Sequence, residues 1–153
     1  MYENTLFSIY IYIMRDINNS LIKAYYDALT PLGYPVYEGE EPDDELAKMY
    51  LVISDVSSND TSTKNSSYVS ANIQVTINSW ELKYNNSKAL NTVAGLVLET
   101  IKPDPNSVLD LSASGMQMLN LTHTDGPGAN YGKLAGRVYI SRQIIFTQDI
   151  FIY

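Results

Sequence analysis

The residues that could carry chemistry in this chain of 153 residues are few, and their spacing argues against each use. His123 is the single histidine. A catalytic triad would need it beside a serine and a carboxylate, but no serine sits in a G-x-S-x-G elbow or a comparable nucleophile motif. It reads as structural or as exposed on a strand end. Glu38, Glu40, Glu41, Asp43, Asp44 and Glu45 are dense enough for a calcium loop, yet they lack the D-x-D-x-D-G spacing and Pro42 interrupts them. That stretch reads as a solvated acidic turn. Asp125–Gly132 is rich in glycine, but it has no G-K-S/T ending and opens no helix, so it fails as a phosphate cradle and reads as a wide turn. Cysteine is absent, which removes disulfides, zinc–thiolate sites and thiol nucleophiles together. No catalytic constellation remains, no cofactor is implied, and the chain reads as something other than an enzyme.

Composition narrows the partners. The formal net charge is −7, with 45% hydrophobic and 18% charged residues, the balance of a globular domain. One domain of this length buries about 68–70% of its unfolded surface. No basic stripe is visible, so binding of nucleic acid through its phosphates is not expected. A neutral or acidic wall is, however, what a channel needs if DNA is to slide past without being gripped. The thirteen tyrosines are scattered and lack interleaved basic residues, which suits core edges and protein interfaces better than base stacking. Met1–Met14 contains the apolar run L-F-S-I-Y-I-Y-I-M, too short to span a bilayer and without the basic start and small-residue cleavage site of a signal peptide. No membrane partner and a cytoplasmic origin are therefore expected.

The elements that would position any site are clearer. Tyr68–Trp80 reads Y-V-S-A-N-I-Q-V-T-I-N-S-W: Val69, Ala71, Ile73, Val75 and Ile77 fall on one side, and Ser70, Asn72, Gln74, Thr76 and Asn78 on the other. That period of two predicts a half-buried antiparallel strand. At about 3.3 Å per residue it runs roughly 40 Å, across a domain whose radius of gyration is near 15 Å. Its outward side carries amides and hydroxyls and no charge, which suggests a face turned to another subunit or a channel. Asp16 caps a predicted helix with Ile17, Leu21, Ala24, Tyr25, Ala28, Leu29 and Leu32 along one stripe, ended near Pro31 and Gly33. Strands follow at Tyr34–Tyr37 and Met49–Asp55. Ser57–Ser67 has no apolar residue and reads as a flexible hairpin loop, either a disordered tip or a working part, with Asn59, Asp60, Lys64 and Asn65 as its exposed polar positions. A second helix carries Leu90, Val93, Ala94, Val97 and Ile101 and stops at Lys102–Pro103. Gly115–His123 and Ala135–Ile150 read as two more strands, the last with Val138, Ile140, Ile144, Phe146, Ile150 and Ile152 on one face, interrupted by Arg142. An arginine there should be paired or stand at an interface. Phe7–Ile13 is a β-prone segment that must be covered, by its own sheet or by a neighbour. The expected fold is α+β: a mostly antiparallel sheet with a long central hairpin and two helices packed on one face.

In order along the chain stand R-D-I-N-N-S-L-I-K-A-Y-Y-D-A-L, G-Y-P-V-Y-E-G-E-E-P-D-D-E, M-Y-L-V-I-S-D, S-Y-V-S-A-N-I-Q-V-T-I-N-S-W, N-S-K-A-L-N-T-V-A-G-L-V-L-E-T-I and R-V-Y-I-S-R-Q-I-I-F-T-Q. This succession, covering most of the sequence from Arg15, resembles the tail-terminator or tail-completion proteins of tailed bacteriophages, also called head–tail joining proteins. The resemblance implies a virion protein assembled in the bacterial host cytoplasm, forming a homo-oligomeric ring at the neck. Its partners would be copies of itself and adjacent portal, adaptor or tail-ring proteins, with DNA passing through the channel without specific binding. It brings no active site. Residues 1–14 would then be an N-terminal extension with a second plausible start at Met14, and 15–153 a single domain. Head-to-tail ring contacts need two complementary surfaces. Phe7, Ile9 and Ile11 on the arm, which could add as a strand to a neighbour, together with Ser70, Asn72, Gln74, Thr76, Asn78 and Arg142, are the expected subunit-interface or lumen residues. The competing expectation is a small β-rich binding or adhesion module with no virion role.

Overall fold

A computed structural model describes residues 17–39, 49–80, 86–125, 130–134 and 137–153. The expected arm at Phe7, Ile9 and Ile11, the Asp16 cap and the acidic residues Glu40–Glu45 lie outside these residues. Helix α1 spans Ile17–Leu29 and is followed by strands β1 (Val36–Glu38), β2 (Met49–Asp60) and β3 (Ser67–Ser79). Helix α2 (Asn86–Ile101) then leads to β4 (Met116–Asp125), β5 (Asn130–Leu134) and β6 (Arg137–Ile152). The six strands form one sheet in the order β1-β2-β3-β6-β4, with β5 pairing the first part of β6. Every pairing is antiparallel except β1 with β2. The architecture is therefore α+β, as the pattern of periods indicates.

The alternation in β3 decides which way the sheet faces. Val69, Ala71, Ile73, Val75 and Ile77 are all buried and join one core with Ile17, Leu21, Tyr25 and Leu29 of α1 and Leu90, Val93, Ala94, Val97 and Ile101 of α2. Both helices thus cover the same side. Directly opposite β3 residues share a face, so Ile144, Phe146 and Ile150 of β6 point into that core beside Val75, Ile73 and Val69. Leu51 and Ile53 of β2 and Met116, Met118 and Leu121 of β4 complete it. Ala24, Ala28 and Leu32, expected on the α1 stripe, are partly buried against its margin. The turn after α1 closes at Gly33, whose φ of 87° is left-handed and whose N–H donates to the Thr30 carbonyl at 3.2 Å.

Several boundaries differ from the sequence reading, each for a local reason. β2 does not stop at Asp55 but runs to Asp60, pairing Ser57, Ser58, Asn59 and Asp60 with Asn72, Ala71, Ser70 and Val69. Its register shifts between Ser54 and Ser57, where three steps on β2 match two on β3, a bulge that lets Val56 pack against the core. Asn59 and Asp60 are consequently strand residues rather than loop residues. Only 61–66 form the turn, closed by the Thr63–Ser66 bridge with Lys64 and Asn65 at its tip. Asn130–Leu134, within and just past the expected wide turn, forms β5 and pairs Arg137–Ser141. The short strand predicted at Tyr34–Tyr37 is displaced to Val36–Glu38, set by a hydrogen bond from the Leu51 N–H to the Pro35 carbonyl at 2.9 Å.

Candidate interaction surface

Opposite the helices, the sheet presents its other face as an ordered lattice, fixed by the pairing register. Three successive rows read, from β2 through β3 and β6 to β4, Asn59–Ser70–Asp149–Asn120, Ser57–Asn72–Thr147–Thr122 and Ser54–Gln74–Ile145–Thr124. Eleven of these twelve positions are uncharged and ten of those are amides or hydroxyls; Asp149 is the lone charge and Ile145 the lone aliphatic group. All twelve are exposed or partly exposed.

The side chains hold one another in place. The Thr147 hydroxyl donates to Asn72 Oδ1 at 2.7 Å. Asn120 donates through Nδ2 to Asp149 Oδ2 at 2.7 Å and accepts the Asp149 N–H at 3.1 Å, so the one carboxylate is internally partnered. Gln74 donates to the Thr76 hydroxyl at 3.1 Å. Such contacts, across strands and along β3, stiffen a sheet face without an apolar cover.

Aromatic groups bound the polar band at both ends. At one end Tyr68 packs against Phe151 in a tilted arrangement with 5.3 Å between ring centres, and Phe151 meets Tyr153 edge-on at 5.4 Å. Tyr153 is 66% exposed and its hydroxyl donates to Gln117 Oε1 at 3.2 Å. At the other end Tyr50, Val52 and Trp80 are buried in a second small cluster with Tyr37 and Tyr139 against it.

The expected site residues fall into three groups. Ser70, Asn72, Gln74 and Thr76 lie on the polar face. Asn78 shares their side of β3 but is only 2% exposed, because its cross-strand partners are Tyr50 and Ser141 beside the aromatic cluster. Arg142 belongs to the other face, opposite Ile77; it donates to Asn91 of α2 at 2.9 Å and pairs with Asp125 of β4 at 3.3 Å. It is thus partnered within the chain and ties α2 and β4 to β6. At the hairpin tip, Asp60 accepts the Ser62 N–H at 2.8 Å, and the Ser62 hydroxyl and N–H hold its carboxyl below the usual carboxylate value. Sequence reading passed over Thr147, Asn120 and Asp149. Their alternation in β6 and β4 was available, but Ile145 and Phe151 stand among them on the polar face and blur it.

His123 is exposed near the end of β4, its ring 6.3 Å from Phe146. Among the described residues no three of His, Cys, Asp and Glu gather as metal ligands. Nor is any helix among them long and apolar enough to cross a membrane.

No protein-family model matches the chain, and no curated protein matches it. Among solved structures it is similar to a chain of the virion of a native gene transfer agent particle. The two superpose with a TM-score of 0.55 at 15% identity, over 81% of this chain and 84% of the other. The likeness is one of fold.

Proposed function

We propose that this chain is a structural component of a phage-like virion and forms a homo-oligomeric ring at the junction of head and tail, joining portal or adaptor to tail around a channel for DNA. The observation that carries the proposal is the fold shared along more than four-fifths of both chains with a virion component. It agrees with the order of sequence elements that resembles tail-terminator proteins.

Two features of the surface support the ring. Among the described residues β1 pairs only with β2 and β4 only with β6, so the sheet ends in two unlike edges. A head-to-tail cycle requires such a pair of non-identical surfaces, whereas a two-fold dimer would use one surface twice. The polar band also has the character of a wall that DNA can pass. It offers hydrogen-bonding groups, several of them partnered with one another, and no cation to hold a phosphate.

The test is made on both the particle and the purified protein. Mass spectrometry of purified virions should detect the chain in stoichiometric amount, and negative-stain images of the protein, alone or with isolated portal and adaptor, should show annuli with a central hole. A chain absent from the particles would overturn the virion role. A chain present in them but never annular, even with the neck proteins, would overturn the ring alone.

A further inference from the structure

From the cavity at the Tyr153 end of the sheet, we infer that the chain carries a binding site for a neutral glycan. The cavity has a volume of about 320 Å³ and is bordered by Val108, Asp110, Ser112, Met118, Gln117 and Tyr153. That is at the lower end of the range for small-molecule sites, about 300–1,000 Å³, and accommodates a sugar unit rather than a folded partner. Its chemistry matches a pyranose on two counts. A sugar ring presents a face of C–H groups that packs on an aromatic ring, and a rim of hydroxyls that both donate and accept hydrogen bonds. Tyr153 supplies an aromatic ring that is 66% exposed and fixed from behind by its edge-on contact with Phe151. Its hydroxyl is tied to Gln117 Oε1, so the ring is oriented and the Gln117 amide group retains its Nε2 donor.

Asp110 completes the set. Its Oδ1 accepts the Ser112 N–H at 2.9 Å and the carboxylate also takes the Ser112 hydroxyl, but two carboxylate oxygens hold about four lone-pair sites, so acceptor capacity remains for a sugar hydroxyl. Amide, carboxylate and exposed ring in one cavity, with no Lys or Arg lining it, suit an uncharged polyhydroxylated ligand and disfavour phosphates and acidic sugars. The adjoining Tyr68–Phe151 pair continues the aromatic ledge, so a chain of several sugars could lie along it. This site does not depend on the ring proposal and would survive its failure.

The experiment is saturation-transfer NMR on the purified chain with three neutral oligosaccharides in turn: a glucose oligomer of β linkage, one of α linkage and an N-acetylglucosamine oligomer. At least one should receive saturation, and Tyr153→Ala should weaken its binding about tenfold, the scale of one aromatic contact. Gln117→Ala should weaken it too, while Lys64→Ala at the distant hairpin tip should not. Both site residues are exposed, and unchanged circular dichroism verifies that the variants fold. Absence of transfer to all three sugars overturns the proposal, as does binding that Tyr153→Ala leaves untouched. Choline is run in parallel, since a ring beside a carboxylate can also hold an ammonium group; binding of choline without any sugar overturns the glycan assignment.

Discussion

Tyr25 and Gln148 meet in the middle of the core, both essentially without solvent exposure. The Tyr25 hydroxyl donates to Gln148 Oε1 at 2.6 Å, and Gln148 Nε2 donates to the Ala71 carbonyl at 2.8 Å, so one relay pins α1 to β6 and β3. Tyr25→Phe leaves the glutamine carbonyl buried without that donor. It should cost about 1–3 kcal/mol, read as a lower urea midpoint with unchanged slope. Adding Gln148→Leu should recover part of that loss, because removing both partners is far cheaper than removing one. Burial also pushes the Tyr25 hydroxyl above its ordinary value of 10.0. Below that value both folded and unfolded forms are neutral and pH has no effect through this group. Above it only the unfolded chain can ionise, so stability falls as pH rises past about 10, and Tyr25→Phe should show a shallower alkaline loss in urea titrations across that range. The burial of Tyr25 is legible in the α1 stripe, but its partner Gln148 is not. Glutamine is usually a surface residue, and in the stripe of β6 it was Arg142 that stood out as the anomaly.

At the scale of elements, the strongest periodicities were readable and the rest depended on partners. β3 and α2 were visible because one face of each is wholly apolar at period 2 or 3.6. The far half of β2 was not: S-S-N-D has no apolar residue on either side, and it becomes strand only because β3 offers it a ladder of hydrogen bonds. β5 is held in the same way by β6, and because it begins inside the glycine-rich stretch Asp125–Gly132 it looks like part of a turn when read alone. The long-loop reading would have allowed deletion of Ser57–Ser67 without harm to folding. The structure changes that expectation. Replacing only Lys64-Asn65, the two residues inside the Thr63–Ser66 bridge, by Asn-Gly keeps the Asp60–Val69 pairing and should alter the thermal midpoint little, since a two-residue turn suits a hairpin. Removing Ser57–Asp60 as well deletes four ladder pairs and should lower that midpoint by several degrees. Differential scanning calorimetry of the two variants separates these outcomes.

For the whole molecule the question is what the polar lattice faces. Its three rows cover about 20 Å by 20 Å from the strand spacing and rise, or on the order of 400 Å². A stable protein interface needs about 800 Å² per partner, and its centre is normally apolar, whereas this band is mostly amide and hydroxyl. In the ring proposed above, the two sheet edges are therefore better placed to hold neighbouring copies, and the lattice to border the proposed channel. Asn72→Lys tests this division. The site is exposed on the middle row, so the substitution should change stability by no more than about 0.5 kcal/mol. Rings should still form in negative-stain images. The added cations, one per subunit and repeated around the lumen, would grip passing phosphates, so DNA release from assembled particles should slow, and more so at low salt than at high salt. Normal release at low salt with intact rings would show that the lattice looks away from the DNA. Loss of rings with normal folding would show instead that it is a subunit contact after all.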